Sequence, residues 1–307
     1  MKRWLKRIGI ALLGLFALVT LASVVYNRVS AQPTKPATAL YPGPFVRLDG
    51  SLHAYRKWGT HGTPIVLVGG FAEASWVWER VAPRLARDHV VYAVDLPPFG
   101  YSERKGPYTL AAWADQVQAF QRALRLKRPL LVGHSIGAAV VAEVARRDPA
   151  SLRGIVLLDG DALKGGGGPG WLSHALIDPY FTSLYRIVLH SDWIVRRILR
   201  MAYGPERPPL THELIARWLR PFSVSGTEAA LRSAAGHGIA GLAFSQLGTI
   251  HVPARVVFGS NDTQVPVSSG RRVAGALHAP FVLIPGAGHL GLLTSPAAVA
   301  AAITGAK

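Results

Sequence analysis

Cysteine is absent from the 307 residues of the chain. This absence excludes disulfide bonds, a cysteine nucleophile and cysteine-ligated metals, and it leaves the redox compartment undecided. The H-E-x-x-H pattern of a catalytic zinc site does not occur either. We therefore expect a protein that works without a metal or a cofactor.

Acidic residues are scarce, because 17 Asp and Glu face 34 Lys and Arg and give a formal net charge of +17. The first acidic residue is Asp49, and part of the basic excess lies at the N-terminus, at Lys2, Arg3, Lys6, Arg7, Arg28 and Lys35. No compact basic stripe interleaved with aromatic residues occurs elsewhere. We therefore interpret the remaining excess as a solvated basic surface and expect no nucleic-acid partner.

Long apolar runs are few, and the longest covers residues 8–26, which hold no charge over 19 residues. As a helix this run is about 28 Å long, close to the thickness of a hydrocarbon core. The basic flank at residues 1–7 predicts a cytoplasmic N-terminus with the rest of the chain on the exoplasmic side. We favour an uncleaved transmembrane signal anchor. The alternative is a signal peptide that is cleaved near Ala31, which would give a secreted protein.

Residues 27–44 contain four prolines and predict a linker. Beyond it, short apolar runs alternate with helical patterns, after an initial pair of runs that predicts a hairpin. This alternation is typical of a doubly wound α/β fold with a mostly parallel sheet and helices on both faces. The predicted buried strands are 64–70, 89–96, 129–134, 152–160, 254–260 and 280–286, and the predicted helices are 76–87, 109–125, 136–147, 267–277 and 296–304.

One interval interrupts this rhythm, since residues 163–245 contain no buried-strand run. The interval opens with the glycine-rich stretch 164–170, which predicts a hinge, and continues with amphipathic, arginine-rich helical segments. We expect an inserted helical cap at the carboxyl edge of the sheet, where a lid over a site would lie. The predicted core then consists of residues 45–162 and 246–307.

The segment LLVGHSIGAAVV (130–141) places Ser135 between Gly133 and Gly137. The apolar run before the serine predicts a buried strand, and the alanine-rich run after it predicts a helix. A strand that runs directly into a helix must reverse within about one residue, which strains the backbone. Side chains at the two glycine positions would collide there, and the serine hydroxyl is left exposed at the tip.

A serine hydroxyl is a weak nucleophile that needs a base, and the base needs an orienting carboxylate. In the expected chain order of serine, acid and histidine, Asp262 follows one predicted strand and His289 follows the last one. Asp159 and Asp161 follow an earlier strand and are the alternative acids. His134 adjoins the serine, but the turn should direct it away from the site.

Acyl transfer also needs donors for the developing oxyanion. The residue after the nucleophile, Ile136, supplies one backbone N–H. The second should come from the loop after the strand at 64–68, where Gly69 and Gly70 allow a sharp turn. The backbone N–H of Phe71 is the natural second donor.

The sequence resembles the α/β-hydrolase fold of the esterase, epoxide hydrolase and haloperoxidase-like group over residues 45–305. The resemblance rests on VLVGGFAEASWVWERVAPRLA, VYAVDLPPFGYSE, LLVGHSIGAAVV, VVFGSNDTQVP and IPGAGHL. It departs from the family at Gly69-Gly70, where His-Gly is usual, and at Pro98, which replaces a glycine. Dehalogenases and epoxide hydrolases of this group use an aspartate nucleophile, and Ser135 argues against both activities.

These residues predict a serine hydrolase that cleaves a carboxylic ester or similar apolar acyl substrate. The same triad can hydrolyse a carbon–carbon bond beside a carbonyl or form a peracid, as perhydrolases and haloperoxidase-like enzymes do, and the fold can also serve as a non-catalytic binding module. Aromatic residues that could line an acyl pocket, with core packing as the alternative role, are Trp76, Trp78, Trp171, Tyr180 and Phe181.

Overall fold

The computed structural model describes residues 2–165, 178–236 and 241–305. Its centre is an eight-stranded sheet with strand order β1-β2-β4-β3-β5-β6-β7-β8. In chain order these strands are β1 Phe45–Leu48, β2 Ser51–Trp58, β3 Thr63–Val68, β4 His89–Val94, β5 Leu130–His134, β6 Gly154–Leu158, β7 Ala254–Gly259 and β8 Phe281–Ile284. Strands β3 to β8 are parallel, whereas β1 and β2 form an antiparallel hairpin at one edge. The predicted α/β fold with a mostly parallel sheet is confirmed.

Thirteen α-helices occur in the described ranges, together with short 3₁₀ turns. They are α1 Lys2–Val29, α2 Ala37–Leu40, α3 Ala82–Leu85, α4 Leu110–Ala123, α5 Ile136–Arg147, α6 Tyr180–His190, α7 Asp192–Tyr203, α8 His212–Leu219, α9 Thr227–Ala235, α10 Phe244–Leu247, α11 Val267–Ala276, α12 Gly291–Thr294 and α13 Pro296–Thr304.

The helices cover both faces of the sheet, and alternate strand residues pack against opposite layers. Along β3, Val66 and Val68 join the apolar cluster of α4, α5 and α11, while Ile65 and Leu67 join that of α3 and α13. This alternation follows from the two-residue period of a strand. Since both faces are buried, the parallel strands are continuous apolar runs rather than alternating ones.

The helix predicted over 76–87 is wrong in its extent. The structure has a 3₁₀ turn at Ser75–Trp78 and then the short α3 helix. Pro83 lies in the first turn of α3. Proline has no N–H to donate to the carbonyl four residues earlier, so a helix that continued from residue 76 would lose that bond and meet the proline ring.

The inserted cap consists of α6 to α9 between β6 and β7. Arg104 fastens it to the core, because its guanidinium donates to Pro221 O at 2.9 Å and to Gly100 O at 2.7 Å. Its Nε also donates to Thr227 Oγ1 at 2.9 Å. The predicted hinge at 164–170 lies outside the described residues from position 166 onward.

The linker prediction for 27–44 is wrong in its second half. Lys35 N donates to Ser223 O at 2.9 Å, which places this stretch against the cap. Tyr41 is buried, and its ring stacks on Tyr101 at a centroid distance of 5.2 Å. Its hydroxyl donates to Tyr55 O at 2.6 Å. The prolines therefore bound a short packed segment, and the folded domain begins before residue 45.

We expect Tyr41→Ala to lower the free energy of unfolding by about 3–5 kcal/mol, as truncation of a buried aromatic residue usually does. Tyr41→Phe should cost only about 1 kcal/mol, since it removes the hydrogen bond and keeps the ring. Urea unfolding of the full chain in detergent measures both. The exposed Thr38→Ala, in the short helix that ends just before Tyr41, is the control. Equal stability of Tyr41→Ala and Thr38→Ala would contradict the packed role of this segment.

Candidate active site

The turn between β5 and α5 has the strained backbone that the sequence predicts. Ser135 lies there with φ 53° and ψ −121°, a conformation that residues with a side chain rarely adopt. A Cβ atom on Gly133 would collide with the carbonyl oxygen of Gly137. One on Gly137 would lie 2.5 Å from the carbonyl oxygen of Val68. Both glycines are therefore required by backbone contacts.

Asp262 and His289 meet at the same edge of the sheet, on the loops after β7 and β8. His289 Nδ1 donates to Asp262 Oδ2 at 2.9 Å. The other carboxylate oxygen accepts the backbone N–H groups of Gln264 at 2.7 Å and Val265 at 3.0 Å. The Asp262 side chain is fully buried. This arrangement fixes the imidazole and leaves its Nε2 available as a base.

Within the described ranges, no hydrogen bond joins Ser135 Oγ to His289. In ligand-free sites such bonds are often long and tighten only when substrate binds. The ring centroids of His289 and His134 are 4.8 Å apart, and His134 directly precedes the serine in the chain. His289 therefore lies close to the residue that precedes Ser135, on the loop that the chain order predicts.

The alternative acids have other partners. Asp159 is buried, and its Oδ1 accepts the backbone N–H of Gly259 at 2.7 Å. Asp161 accepts the Leu163 N–H at 3.1 Å and the Ser269 hydroxyl at 2.6 Å. Neither carboxylate is bonded to His289 in the part of the chain that the structure describes. Of the three candidates, only Asp262 is placed to orient the imidazole.

The loop after β3 lies directly against the nucleophile. A Cβ atom on Gly70 would be 2.7 Å from Ser135 Cβ and 3.2 Å from its Oγ. Gly70 is thus packed against the serine, and Phe71 is the next residue of the loop. Ile136 is the first residue of α5, so its N–H has no partner within the helix. Phe71 and Ile136 remain the predicted oxyanion donors.

A buried ion pair that the sequence pattern does not predict lies behind the serine. His134 Nδ1 lies 2.8 Å from Glu73 Oε1, as an ion pair rather than an aligned hydrogen bond. The second carboxylate oxygen of Glu73 accepts the Gly70 N–H at 2.7 Å, and His134 Nε2 donates to His289 O at 2.8 Å. The pair thus connects three loops of the site. Its only sequence signal is an acidic residue within the predicted oxyanion loop.

Burial and charge act against each other on this pair. Burial is the largest single effect and would lower the pKa of His134, but the Glu73 carboxylate, Asp159 and the backbone of His289 together outweigh it and raise that pKa to about 9. Burial raises the pKa of Asp159 to about 8 despite the nearby His134. At neutral pH His134 therefore carries a positive charge and is a donor only, which removes it as a competing base.

The aromatic residues proposed for an acyl pocket are mostly structural. Trp76 and Trp78 are buried, and the Trp76 ring packs edge-on against Trp218 at 4.9 Å. Tyr180 contacts α1, and Phe181 stacks on Tyr185 at 6.5 Å. Trp171 lies outside the described residues.

Comparison with known proteins agrees with this geometry. The alpha/beta hydrolase family profile matches residues 65–302, and the chain belongs to this family. An uncharacterized hydrolase of Bacillus subtilis, YugF, is 28% identical over 211 residues, covering 68% of this chain and 76% of YugF. The pimeloyl-[acyl-carrier protein] methyl ester esterase of Sodalis glossinidius is 29% identical over 74% of this chain and 92% of its own length.

Among solved structures, a bacterial membrane phospholipase A has the same fold, with a TM-score of 0.69 and 21% identity. The likeness covers 100% of this chain and 99% of that one. These curated relatives are hydrolases, so the family membership supports a hydrolase activity.

The buried groups predict how stability depends on pH. Asp159 and His134 bind protons more tightly in the folded protein than in the unfolded chain, where their pKa values are about 3.9 and 6.5. Their stabilisation is therefore present at low pH and is lost as the pH rises through about 8 and about 9. We expect the free energy of unfolding to fall between pH 6.5 and 9 by on the order of 2–5 kcal/mol.

Thermal melting across this range tests the expectation. Asp159→Asn keeps an oxygen that accepts the Gly259 N–H but removes the titrating carboxyl group. The melting temperature of this variant should therefore depend less on pH. His53, whose pKa burial lowers to about 4, acts in the opposite sense but only below pH 6.5. A melting temperature that rises from pH 6.5 to 9 would contradict the assignment.

Proposed function

We propose that the protein is a membrane-anchored serine hydrolase that cleaves carboxylic esters through an acyl-enzyme. Ser135 attacks the carbonyl, and His289 accepts its proton and later returns it to the leaving alcohol. Asp262 orients the imidazole and stabilises its charged form. The N–H groups of Phe71 and Ile136 hold the oxyanion. Water, activated by the same imidazole, then releases the acid.

The observation that carries this proposal is the hydrogen bond of 2.9 Å between His289 and Asp262 at the edge that also presents Ser135. The strained turn exposes the serine, and the glycine loop lies against it. A binding module would have no need of a buried carboxylate that fixes a histidine beside a strained serine. The arrangement therefore favours catalysis.

Ester cleavage is the simplest reaction for these groups, and one curated relative is described as a methyl ester esterase. The same groups could cleave a carbon–carbon bond beside a carbonyl or form a peracid, because each of these reactions also takes place at a carbonyl group held beside Ser135. Turnover of acyl esters, amides and diketones, compared on one preparation, separates these chemistries.

The anchor is the second element of the proposal. Helix α1 is long and apolar enough to cross a membrane over Arg3–Val29, and its apolar residues are exposed. Its C-terminal part is bonded to the cap, where Asn27 Nδ2 donates to Pro179 O at 2.8 Å. A segment that is removed as a signal peptide has no use for such contacts. These bonds favour a retained anchor, and the basic flank at residues 1–7 predicts that the catalytic domain is on the exoplasmic side.

We expect a fluorophosphonate probe to label the protein and Ser135→Ala to abolish the labelling, since the probe reacts only with an activated serine. Asp262→Asn should lower kcat for a short-chain ester by roughly 10³–10⁴-fold, because it destroys the required tautomer of the imidazole. Steady-state kinetics and in-gel fluorescence measure the two effects.

Asp159→Asn is the matched control, because it makes the same substitution at a neighbouring strand end. It should keep most of the activity. The reverse pattern, in which Asp159→Asn is inactive and Asp262→Asn is active, would show that the acid is misassigned. Full labelling of Ser135→Ala would reveal another nucleophile.

We expect the full-length protein to stay with membranes in carbonate and high salt and to dissolve in detergent, since apolar burial holds a spanning helix. Intact-mass measurement should find residues 1–31 retained. A mature chain that begins at Gln32 would instead show cleavage after Ala31 and a secreted protein. Recovery from the soluble cytosol would exclude both versions.

A further inference from the structure

Helix α6 packs along the second half of α1, within the uncharged run. The ring of Phe16 lies 6.1 Å from that of Tyr180, and the hydroxyls of Thr20 and Tyr180 are hydrogen-bonded at 2.5 Å. Further along, Ser183 Oγ donates to Asn27 Oδ1 at 2.9 Å. The contact thus begins at the middle of the run and continues past its end.

The position of this contact limits how α1 can cross a bilayer. From the last basic residue of the flank, Arg7, to Phe16, a helix rises only about 14 Å, roughly half of a 30 Å hydrocarbon core. The other half must be crossed by residues 16–26, the same stretch against which α6 packs. A spanning α1 therefore carries the start of α6 into the exoplasmic leaflet.

Large apolar side chains are exposed on this part of the cap. On α6, Leu184 and Ile187 are 52% and 46% exposed, and on α7 Trp193 is 67% exposed. Ile198 and Met201 of α7 are each 50% exposed. Such a set of large apolar side chains on two neighbouring helices is unfavourable in water but suits a membrane interface.

Basic residues accompany these apolar side chains. The guanidinium of Arg197 lies over the Trp193 ring at 5.9 Å. Arg196, Arg200 and Arg207 line a cleft of about 450 Å³ beside α7. Tryptophan and arginine together are typical of the headgroup layer, where the ring lies among the acyl chains and the cation meets lipid phosphate.

We propose that α6 and α7 form a lipid-contacting surface of the cap that is embedded in the interface of a bilayer with anionic headgroups. The surface consists of Leu184, Ile187, Trp193, Ile198 and Met201, with Arg197 and Arg200 at the headgroups. The inference rests on the proposed anchor, because α1 sets the depth. It means that the cap of the catalytic domain is a second membrane contact.

The absence of cysteine makes a direct test possible, since each introduced cysteine is unique. Leu184→Cys and Trp193→Cys are labelled with an environment-sensitive fluorophore in the full chain, which is reconstituted into phosphatidylcholine–phosphatidylglycerol vesicles. Leu12→Cys on α1 reports the anchor, and Ala111→Cys, exposed on α4, reports the aqueous side. Lipids that carry a quencher are then added.

We expect several-fold quenching at positions 12, 184 and 193 and none at 111. Quenching at 12 alone would overturn the cap proposal and leave the anchor intact. Quenching at none of the positions would overturn the anchor and the cap proposal together. Protection of position 184 from aqueous iodide without quenching by lipid would mean that a second copy covers the surface, which also overturns the proposal.

Varying the lipid charge tests whether the surface requires anionic headgroups. Replacing phosphatidylglycerol with phosphatidylcholine should reduce the quenching at 193 several-fold, and unchanged quenching would overturn the requirement for anionic lipid. The double variant Leu184→Gln/Trp193→Gln should lose several-fold turnover of an ester dissolved in the vesicles and keep that of a water-soluble short-chain ester. Equal losses on both esters would indicate damage to the fold and would count against the proposal.

Discussion

The chain turns sharply at Ser135, and the space around the two flanking glycines, Gly133 and Gly137, has no room for a side chain. Strand β5 ends one residue before the serine and α5 begins one residue after it, so the positive φ of the serine is imposed by the connection. The first turn of α5 at Gly137 touches the carbonyl end of β3 at Val68, and Gly70 touches the serine itself. Because Gly137 meets main-chain atoms and Gly70 meets the serine itself, Ser135, the helix terminus and the glycine loop are held in one geometry.

Behind this turn, a single buried ion pair holds together loops that are distant in sequence. Glu73 accepts the Gly70 N–H and faces His134, while His134 reaches the backbone of His289. Separating a buried pair by removing one partner typically costs about 3–5 kcal/mol, because the other charge is left uncompensated. The ion pair therefore holds the loop that carries a predicted oxyanion donor in place, and this effect depends on protonation of His134.

The sequence was sufficient for the parts of the molecule that depend on local pattern. Apolar runs located the parallel strands, and the bracketed serine located the elbow. The sequence did not predict the contacts that depend on packing between segments distant in the chain. Nothing near Glu73 shows that it is buried against His134, and nothing near Tyr41 shows that it stacks on Tyr101. The contact of α1 with α6 joins residues about 160 positions apart, so no window of sequence contains it.

The glycines of the elbow also constrain how this chain can change through descent. A side chain at residue 133 or 137 would meet main-chain oxygen atoms, so no second substitution elsewhere can make room for it. At Gly9, Gly14 and Gly275, by contrast, the space is open. Descendants of this sequence can therefore accept a side chain at those three positions, while the glycines around the serine stay fixed.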